Sequence, residues 1–362
     1  MSAGRPVTGI GLACAAGTHP AALYASAEAG MMSLARDPEL ALADAGGDPL
    51  PLYTAPVLPA GDGGVPERVE TLAASALAAL ARHFPPPEPA AAVHLVLPSR
   101  DTARGEGIDE ARLARALRRA AALPATVPVT CHYGEPLDRV LPAPPGDGTV
   151  LLGAADSVLD LEAAAALLDA GRLRVYRDEN GLGLGEAGVF VALGPEGAPG
   201  PVRLAGWGGA GEPHAGAAGT RVLEGTVAAA SAALAAAGLE AEAVEVVIHD
   251  LSLAPGDVLE WAQAAARLWP RRLDERRRLA VQAGEADPPL APLPGGPEEL
   301  GAAATGGDAG AASALRGLAL AWGRLVHGLE PAAVALVVDA ACAGRRVALV
   351  LEHEPPQGGE EP

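Results

Sequence analysis

The chain has 362 residues, 49% of them apolar and 20% charged; that length suits two domains or one double-lobed unit, and that balance excludes disorder over most of it. Aromatics are only 3%, so the core must be built from Ala, Leu and Val. All 26 basic side chains are arginine, and 45 acids bring the net charge to -19, which repels nucleic acid rather than neutralising its phosphates.

In chain order, Val7 to Leu12 reads as a first strand, and Gly17 leads into a helix from about His19 to Gly30. Residues 36–66 are rich in Pro, Gly and Asp and read as irregular, with a strand near Tyr53 to Val57. Val69 to Phe84 has helical periodicity and stops at Pro85, Pro86 and Pro87, which cannot continue a helix. Ala92 to Leu97 reads as a buried strand and Asp109 to Ala122 as an Arg-rich amphipathic helix. Thr126 to Cys131 is another strand, and Pro128 within it points to an edge position. The Pro-rich stretch Gly134 to Gly148 holds at most a short helical piece around Leu137 to Leu141. Thr149 to Leu152 is a strand, Leu159 to Ala170 a helix ending at Gly171, and Gly188 to Leu193 and Val202 to Gly206 are strands.

A second series follows. Gly219 to Ala237 is helical, Val244 to His249 a strand and Asp257 to Leu268 a helix. Residues 283–300 read as a Pro-rich loop, Gly310 to Val326 as a long helix, and Val334 to Val338 and Arg346 to Glu352 as closing strands. Strands alternating with helices indicate an α/β class. The two series divide the chain into similarly built halves, 1–200 and 201–354, with a frayed tail at 355–362.

Cys14, Cys131 and Cys342 lie far apart and make neither a metal spacing nor an even disulfide set, which fits a reduced, cytoplasmic protein. Met1 to Pro6 has no apolar h-region, so no signal peptide is expected, and the small-apolar run Val227 to Gly238 is too short for a membrane span. Arg271, Arg272, Arg276, Arg277 and Arg278 form one local basic cluster, either a solvated helix end or a docking spot for an acidic partner.

Several segments carry a resemblance. Val7-Thr8-Gly9-Ile10-Gly11-Leu12 with Gly17 resembles the first strand and turn of β-ketoacyl synthases of the thiolase-like superfamily. Leu152 to Ser157 is similar to that family's strand ending in small residues and an acid, and Arg177 to Gly181 with Gly185 to Gly188 to its "RDG…GEGAG" turn. The strand ending at His249, followed by Asp257 and Glu260, resembles the family's catalytic-His strand and the helix after it. Thr305-Gly306-Gly307 with Gly310-Ala311-Ala312 resembles "TGH…GAAG", and Ala341 to Arg345 the Gly-rich loop before the last strand. The resemblance implies a thiolase-like fold, two pseudo-repeated halves in a five-layer α-β-α-β-α unit.

The family condenses acyl thioesters with a Cys at a helix N-terminus, where the dipole favours the thiolate, and with two His. In that alignment Cys131 stands nearest the nucleophile, but Pro136 and Pro142 break the four-turn helix that should follow it. It reads either as that nucleophile or as an ordinary half-buried cysteine. His249 takes the first His position, as a working or an inert residue, with Asp250 and Leu251 replacing a small turn. Gly307 replaces the second His, and the expected Lys is absent, since the chain has none. Gly306, Gly307, Cys342 and Gly344 fall where the family lines its acyl site.

Three functions follow from these positions. The first is a non-condensing scaffold or partner subunit, in a homodimer or in a heterodimer with a related synthase, with Thr126 to Cys131 as the dimer edge. The second is an atypical acyltransferase using Cys131 and His249, which must then lie together. The third is an acyl or small-molecule binder with an apolar cavity beside His249. The resemblance implies an acyl carrier protein or acyl-CoA as partner, and no cofactor, metal, nucleic acid or membrane.

Overall fold

The computed structural model describes residues 4–43, 46–59, 64–85, 89–141, 148–175, 179–214, 222–251, 254–270, 279–280, 282–285, 296–340 and 344–354. The first apolar run forms β1 (Arg5–Cys14), and the helix after Gly17 is α1 (Pro20–Glu28). Where an irregular stretch was expected, the chain makes a hairpin of β2 (Ala35–Ala43) and β3 (Pro49–Ala55). A register break between Arg36 and Ala41 hides its alternation: the Asp37 carboxylate accepts hydrogen bonds from the Glu39 and Leu40 N–H groups there. Beyond the break, Leu40, Leu42, Leu50 and Leu52 pack into a satellite cluster with Ala164, Leu173 and Leu184.

Most later elements stand where the periodicity predicts them: α2 (Val65–His83), β4 (Ala92–Leu97), α4 (Glu110–Ala120), and between these last two a single turn, α3 (Ala103–Glu106). Asp109 caps α4 by accepting from the Ala111 and Arg112 N–H groups. The edge strand begins later than expected: β5 is Val129–Tyr133, with Pro128 just outside it. After it come α5 (Leu137–Val140), β6 (Val150–Ser157), α6 (Leu161–Asp169), β7 (Leu184–Leu193), β8 (Val202–Gly211), α7 (Gly225–Ala237), β9 (Val246–His249) and α8 (Pro255–Leu268). The expected loop 283–300 ends in a short strand, β10 (Glu298–Gly301), followed by α9 (Ala302–Gly306), α10 (Ser313–His327), β11 (Val334–Asp339) and β12 (Arg345–His353). The arginine cluster at 271–278, Cys342 and the tail 355–362 lie outside the described residues.

The strands join in one 12-stranded sheet, with the main path β10-β9-β11-β12-β8-β1-β7-β6-β4-β5 and the β2–β3 hairpin attached to β7. In each half the strands, counted in chain order, lie third, second, fourth, fifth, first: β5-β4-β6-β7-β1 and β10-β9-β11-β12-β8. In each, three strands are parallel and the last two run antiparallel to their neighbours. The two first strands join the halves, pairing antiparallel through Arg5 to Val7 and Val202 to Leu204.

Helices α2 and α4 cover the outer face of the first half, and α7 and α8 that of the second. Between the two sheets lie α1, α5 and α10, packed into a shared core with Leu12, Val191, Ile248, Val337 and Leu349. The result is a five-layer α-β-α-β-α arrangement. Glycines set its outer spacing. A Cβ on Gly11 of β1 would stand 2.2 Å from the backbone nitrogen of Leu80 in α2, and one on Gly206 of β8 would stand 2.3 Å from the carbonyl oxygen of Ala233 in α7. With so few aromatics, helix backbone rests directly on strand backbone.

One buried ion pair ties the first half together. Glu186 on β7 accepts from Arg68 of α2 at 2.6 and 3.0 Å, from the Val57 and Leu58 N–H groups, and from the Ser157 hydroxyl. The second half has its own version, in which Arg346 of β12 meets Glu260 of α8 at 2.8 Å and Thr226 of α7 donates to the same carboxylate.

Replacing Gly11 by Ala forces α2 away from β1, and we expect a loss of about 2–3 kcal/mol, read from denaturant unfolding. A loss within about 0.5 kcal/mol, as for an ordinary surface change, contradicts this close packing.

Candidate functional site

In open α/β sheets, ligands are held beyond the carboxyl ends of the parallel strands. Here those ends carry acids. Asp156 lies near the end of β6, Asp339 ends β11, Asp250 follows β9, and Asp308 sits in the turn between α9 and α10. Helix α10 runs between the sheets, buried from Ser313 to Leu325, and brings Arg316 to the acids.

The Arg316 guanidinium is 1% exposed. Its Nη2 donates to the Gly307 carbonyl at 2.6 Å, while its Nε has no hydrogen-bond partner among the described residues. Burial pushes its pKa down, against the fields of Cys14, Asp308, Asp250 and Asp339. The Asp250 carboxyl accepts from the Ala340 N–H at 2.9 Å. Burial pushes its pKa up, and it shares a hydrogen bond with Asp339.

Asp156 of β6 turns its carboxylate to the turn before α10. It accepts from the Ala311 N–H at 2.9 Å and pairs with Arg104 at 2.7 Å. Burial pushes its carboxyl up to about 6, opposed by Arg104 and by the Ala311 hydrogen bond. Gly310, at φ +50°, lies directly against it: a Cβ there would stand 2.1 Å from the Asp156 oxygen. Acids and arginines therefore fill this centre.

Gly307 shows how far the backbone has been rebuilt. Its φ of 72° and ψ of -171° belong to a region essentially reserved for glycine. A Cβ would lie 2.7 Å from the Gly183 carbonyl oxygen. Neither a histidine nor any other side chain fits there. Gly306 is buried at the end of α9, and a Cβ on it would approach the Arg316 guanidinium at 3.5 Å. Gly344, at φ +70°, accepts from the Glu212 N–H at 2.7 Å.

The structure places Cys131 on β5 against the outer layer of the first half, and His249 at the end of β9 against α8 of the second. Cys131 packs with Val129 and Tyr133 against the outer-layer cluster of α2 and α4. Burial pushes its thiol up to about 11, the Glu110 carboxylate adds to this, and Arg100 opposes it. That is the wrong direction for a nucleophile, which must be a thiolate near neutral pH. His249 ends β9 one step beyond Ile248, which faces the inner core, and stacks on Trp261 of α8 at 4.9 Å. Burial pushes its imidazole down, and its Nδ1 has no partner among the described residues. Its surroundings are Trp261, Asp250, Glu299 and Asp257, so the neighbourhood is charged rather than apolar.

The two halves differ in the connection that follows their third strand. The connection after β10 carries the long α10, but the one after β5 carries a single turn among its described residues. That turn is pinned by Asp138, whose carboxylate accepts from Arg345 of β12, and it seals the core with Leu137 and Val140. Asp257 and Glu260 are structural, the first paired with Arg172 at 3.1 Å and the second with Arg346. Sequence reasoning passed over Arg316, although a lone arginine inside the apolar run 314–323 is a readable signal. It also passed over Asp308 and Arg104, which nothing local marks.

The described groove of about 590 Å³ lies in the outer layer between α2 and α4, lined by Glu70, Ala74, Ala78, Arg112, Ala116 and Arg119. Among the described residues no group of three or more His, Cys, Asp or Glu is arranged to hold a metal ion, and no helix is long and apolar enough to cross a membrane.

Comparison with known proteins agrees with this architecture. No family model and no curated protein matches the chain. Solved structures do. The ishigamide ketosynthase/chain length factor aligns at a TM-score of 0.65 with 17% identity, over 98% of this chain and 100% of that one. A type II PKS acyl-carrier protein in complex with its ketosynthase, bound to the hexaketide, gives 0.66 with 12% identity, over 98% and 100%. A ketosynthase in complex with its chain length factor from Xenorhabdus doucetiae gives 0.60 with 14% identity, over 97% and 98%. The chain thus has the thiolase-like fold of the β-ketoacyl synthases.

The raised carboxyl of Asp156 has a consequence for stability. The folded state keeps this proton up to about pH 6, whereas the unfolded chain releases it near 4, so the group weakens the fold as pH rises between those values. Asp156→Asn removes that dependence. Its stability relative to the unsubstituted protein should rise by about 2 kcal/mol from pH 4 to pH 7. A difference that stays flat across that range contradicts the assignment.

Proposed function

We propose that this chain is a β-ketoacyl synthase-like partner subunit that does not itself condense, and that it pairs with a related, catalytically complete synthase. Gly307 carries this reading: where the family holds its second histidine, a glycine-only backbone closes on Gly183 and its carbonyl accepts a hydrogen bond from the buried Arg316. The absence of any lysine, the raised thiol of Cys131 and the single-turn α5 support it. The neighbours whose names pair a ketosynthase with a chain length factor support a two-protein assembly, and the one crystallised with an acyl-carrier protein supports a carrier delivering to the partner.

The pairing surface in this proposal is β5. Among the described residues it pairs only with β4, which leaves one side of its backbone unpaired. The Val93 N–H donates to the Pro128 carbonyl and the Gly134 N–H to Leu97, so alternation turns the N–H groups of Val129, Cys131 and Tyr133 to the free side. The same edge can serve a homodimer, and we place the assembly in the cytoplasm, with the halves meeting near residue 200 as one rigid subunit.

The test is co-expression with a candidate synthase, followed by light scattering and a condensation assay with acyl-thioester substrates. We expect a one-to-one complex whose activity depends on the partner's own nucleophile. Cys131→Pro, which removes a free-edge donor but no bond to β4, should weaken assembly by about tenfold or more. Condensation product from this chain alone, or assembly indifferent to the substitution, overturns the proposal.

A further inference from the structure

Three of the chain's histidines meet at the ends of three helices. His19 is the N-cap of α1, His83 stands in the last turn of α2, and His327 in the last turn of α10. The His19 ring lies 5.2 Å from His83 and 5.9 Å from His327, and it stacks on Phe84 at 5.3 Å. Trp322 closes the group, at 5.6 Å from His327 and 5.5 Å from Phe84.

His19 holds α1 through one particular atom. Its Nδ1 accepts a hydrogen bond from the Ala21 N–H at 3.1 Å, which occupies one of the free donors at the helix start. An imidazole accepts at Nδ1 only when that nitrogen has no proton, so the cap exists in the neutral ring alone. Protonation removes the acceptor, turns Nδ1 into a donor facing another donor, and places a cation at the positive end of the helix. It also sets that cation beside the rings of His83 and His327.

Few other charges bear on the site. Helix α1 itself carries Tyr24 and Glu28, and β1 carries Cys14. Helix α10 brings Arg316, Arg324 and His327, β10 brings Glu298 and Glu299, and α2 brings Arg82 and His83. Arg324 is held by Glu298 at 2.8 Å, and Glu28 acts on Tyr24. The charges that act on His19 are His83 and His327, and burial together with those two pushes its imidazole down. No carboxylate compensates a proton there.

The helix so capped covers the middle layer. Pro20, Leu23 and Tyr24 are buried, and Gly323 of α10 lets α1 approach so closely that a Cβ there would stand 2.7 Å from the Pro20 carbonyl. Past α1, the Ser33 N–H donates to Thr305 of α9, next to Gly306 and Gly307. We propose that the His19–His83–His327 cluster is an acid-sensitive clasp that holds α1 over α9 and α10 when neutral and releases it when protonated.

The direction follows from where the proton goes. The released helix binds it and the docked helix does not, so the clasp is complete above about pH 6.5 and fails as pH falls below that value. Hydrogen exchange on the full chain, corrected for intrinsic rates, tests this at about pH 7.5 and 5.5. Protection of the α1 amides should fall about tenfold relative to those of α7 in the unsubstituted protein. His19→Asn caps without titrating and should hold the change within about twofold, and His19→Asp, also a cap that keeps its charge over this range, serves if the first variant folds poorly. Unchanged α1 protection, an equal loss in α7, or the same loss in both capping variants overturns the clasp.

Discussion

The centre of this protein is organised by one buried charge. Arg316 enters the space between the sheets on a helix that is apolar almost throughout, and a guanidinium cannot remain there without counter-charge. The fields of Asp308, Asp250 and Asp339 act on it, and the Gly307 carbonyl turns inward to accept from it. That last bond explains the unusual backbone at Gly307. In that conformation no side chain fits at Gly307.

The repeat of strand order makes the asymmetry of the halves informative. Each half packs its first strand against an outer helix through glycines, and each locks its outer layer with a buried arginine–glutamate pair. The halves part in the middle layer. The second half fills it with α10, while among the described residues the first contributes the single turn α5, pinned to β12 by Asp138 and Arg345. Cys131, left on the strand, faces the opposite layer, where burial favours the thiol.

Much of this was legible in the amino-acid order. The strand–helix alternation, the stop at Pro85, the short helix at 137–141 and the edge position of the third strand all follow from periodicity and proline placement. The β2–β3 hairpin escaped because Asp37 bonds the backbone two and three residues on and breaks the alternation. Strand β10 escaped because Glu298-Glu299-Leu300-Gly301 has no alternating pattern and is paired only by tertiary contact with β9. Gly307 and the lack of lysine are visible as letters. The charged centre is not, because Arg104, Asp156, Asp250, Asp308 and Arg316 are scattered along the chain and converge only through topology. The placement of Cys131 and His249 in separate layers is likewise a fact of sheet faces rather than of motif spacing.

The central proposal is that this chain, with its ketosynthase-like fold, does not itself condense acyl thioesters. The most direct measurement is the intact mass of the protein after incubation with an acyl-CoA or an acyl-carrier thioester, for the unsubstituted chain and for Cys131→Ala. The account predicts no acyl adduct on either. An adduct on the unsubstituted chain that Cys131→Ala abolishes would contradict it.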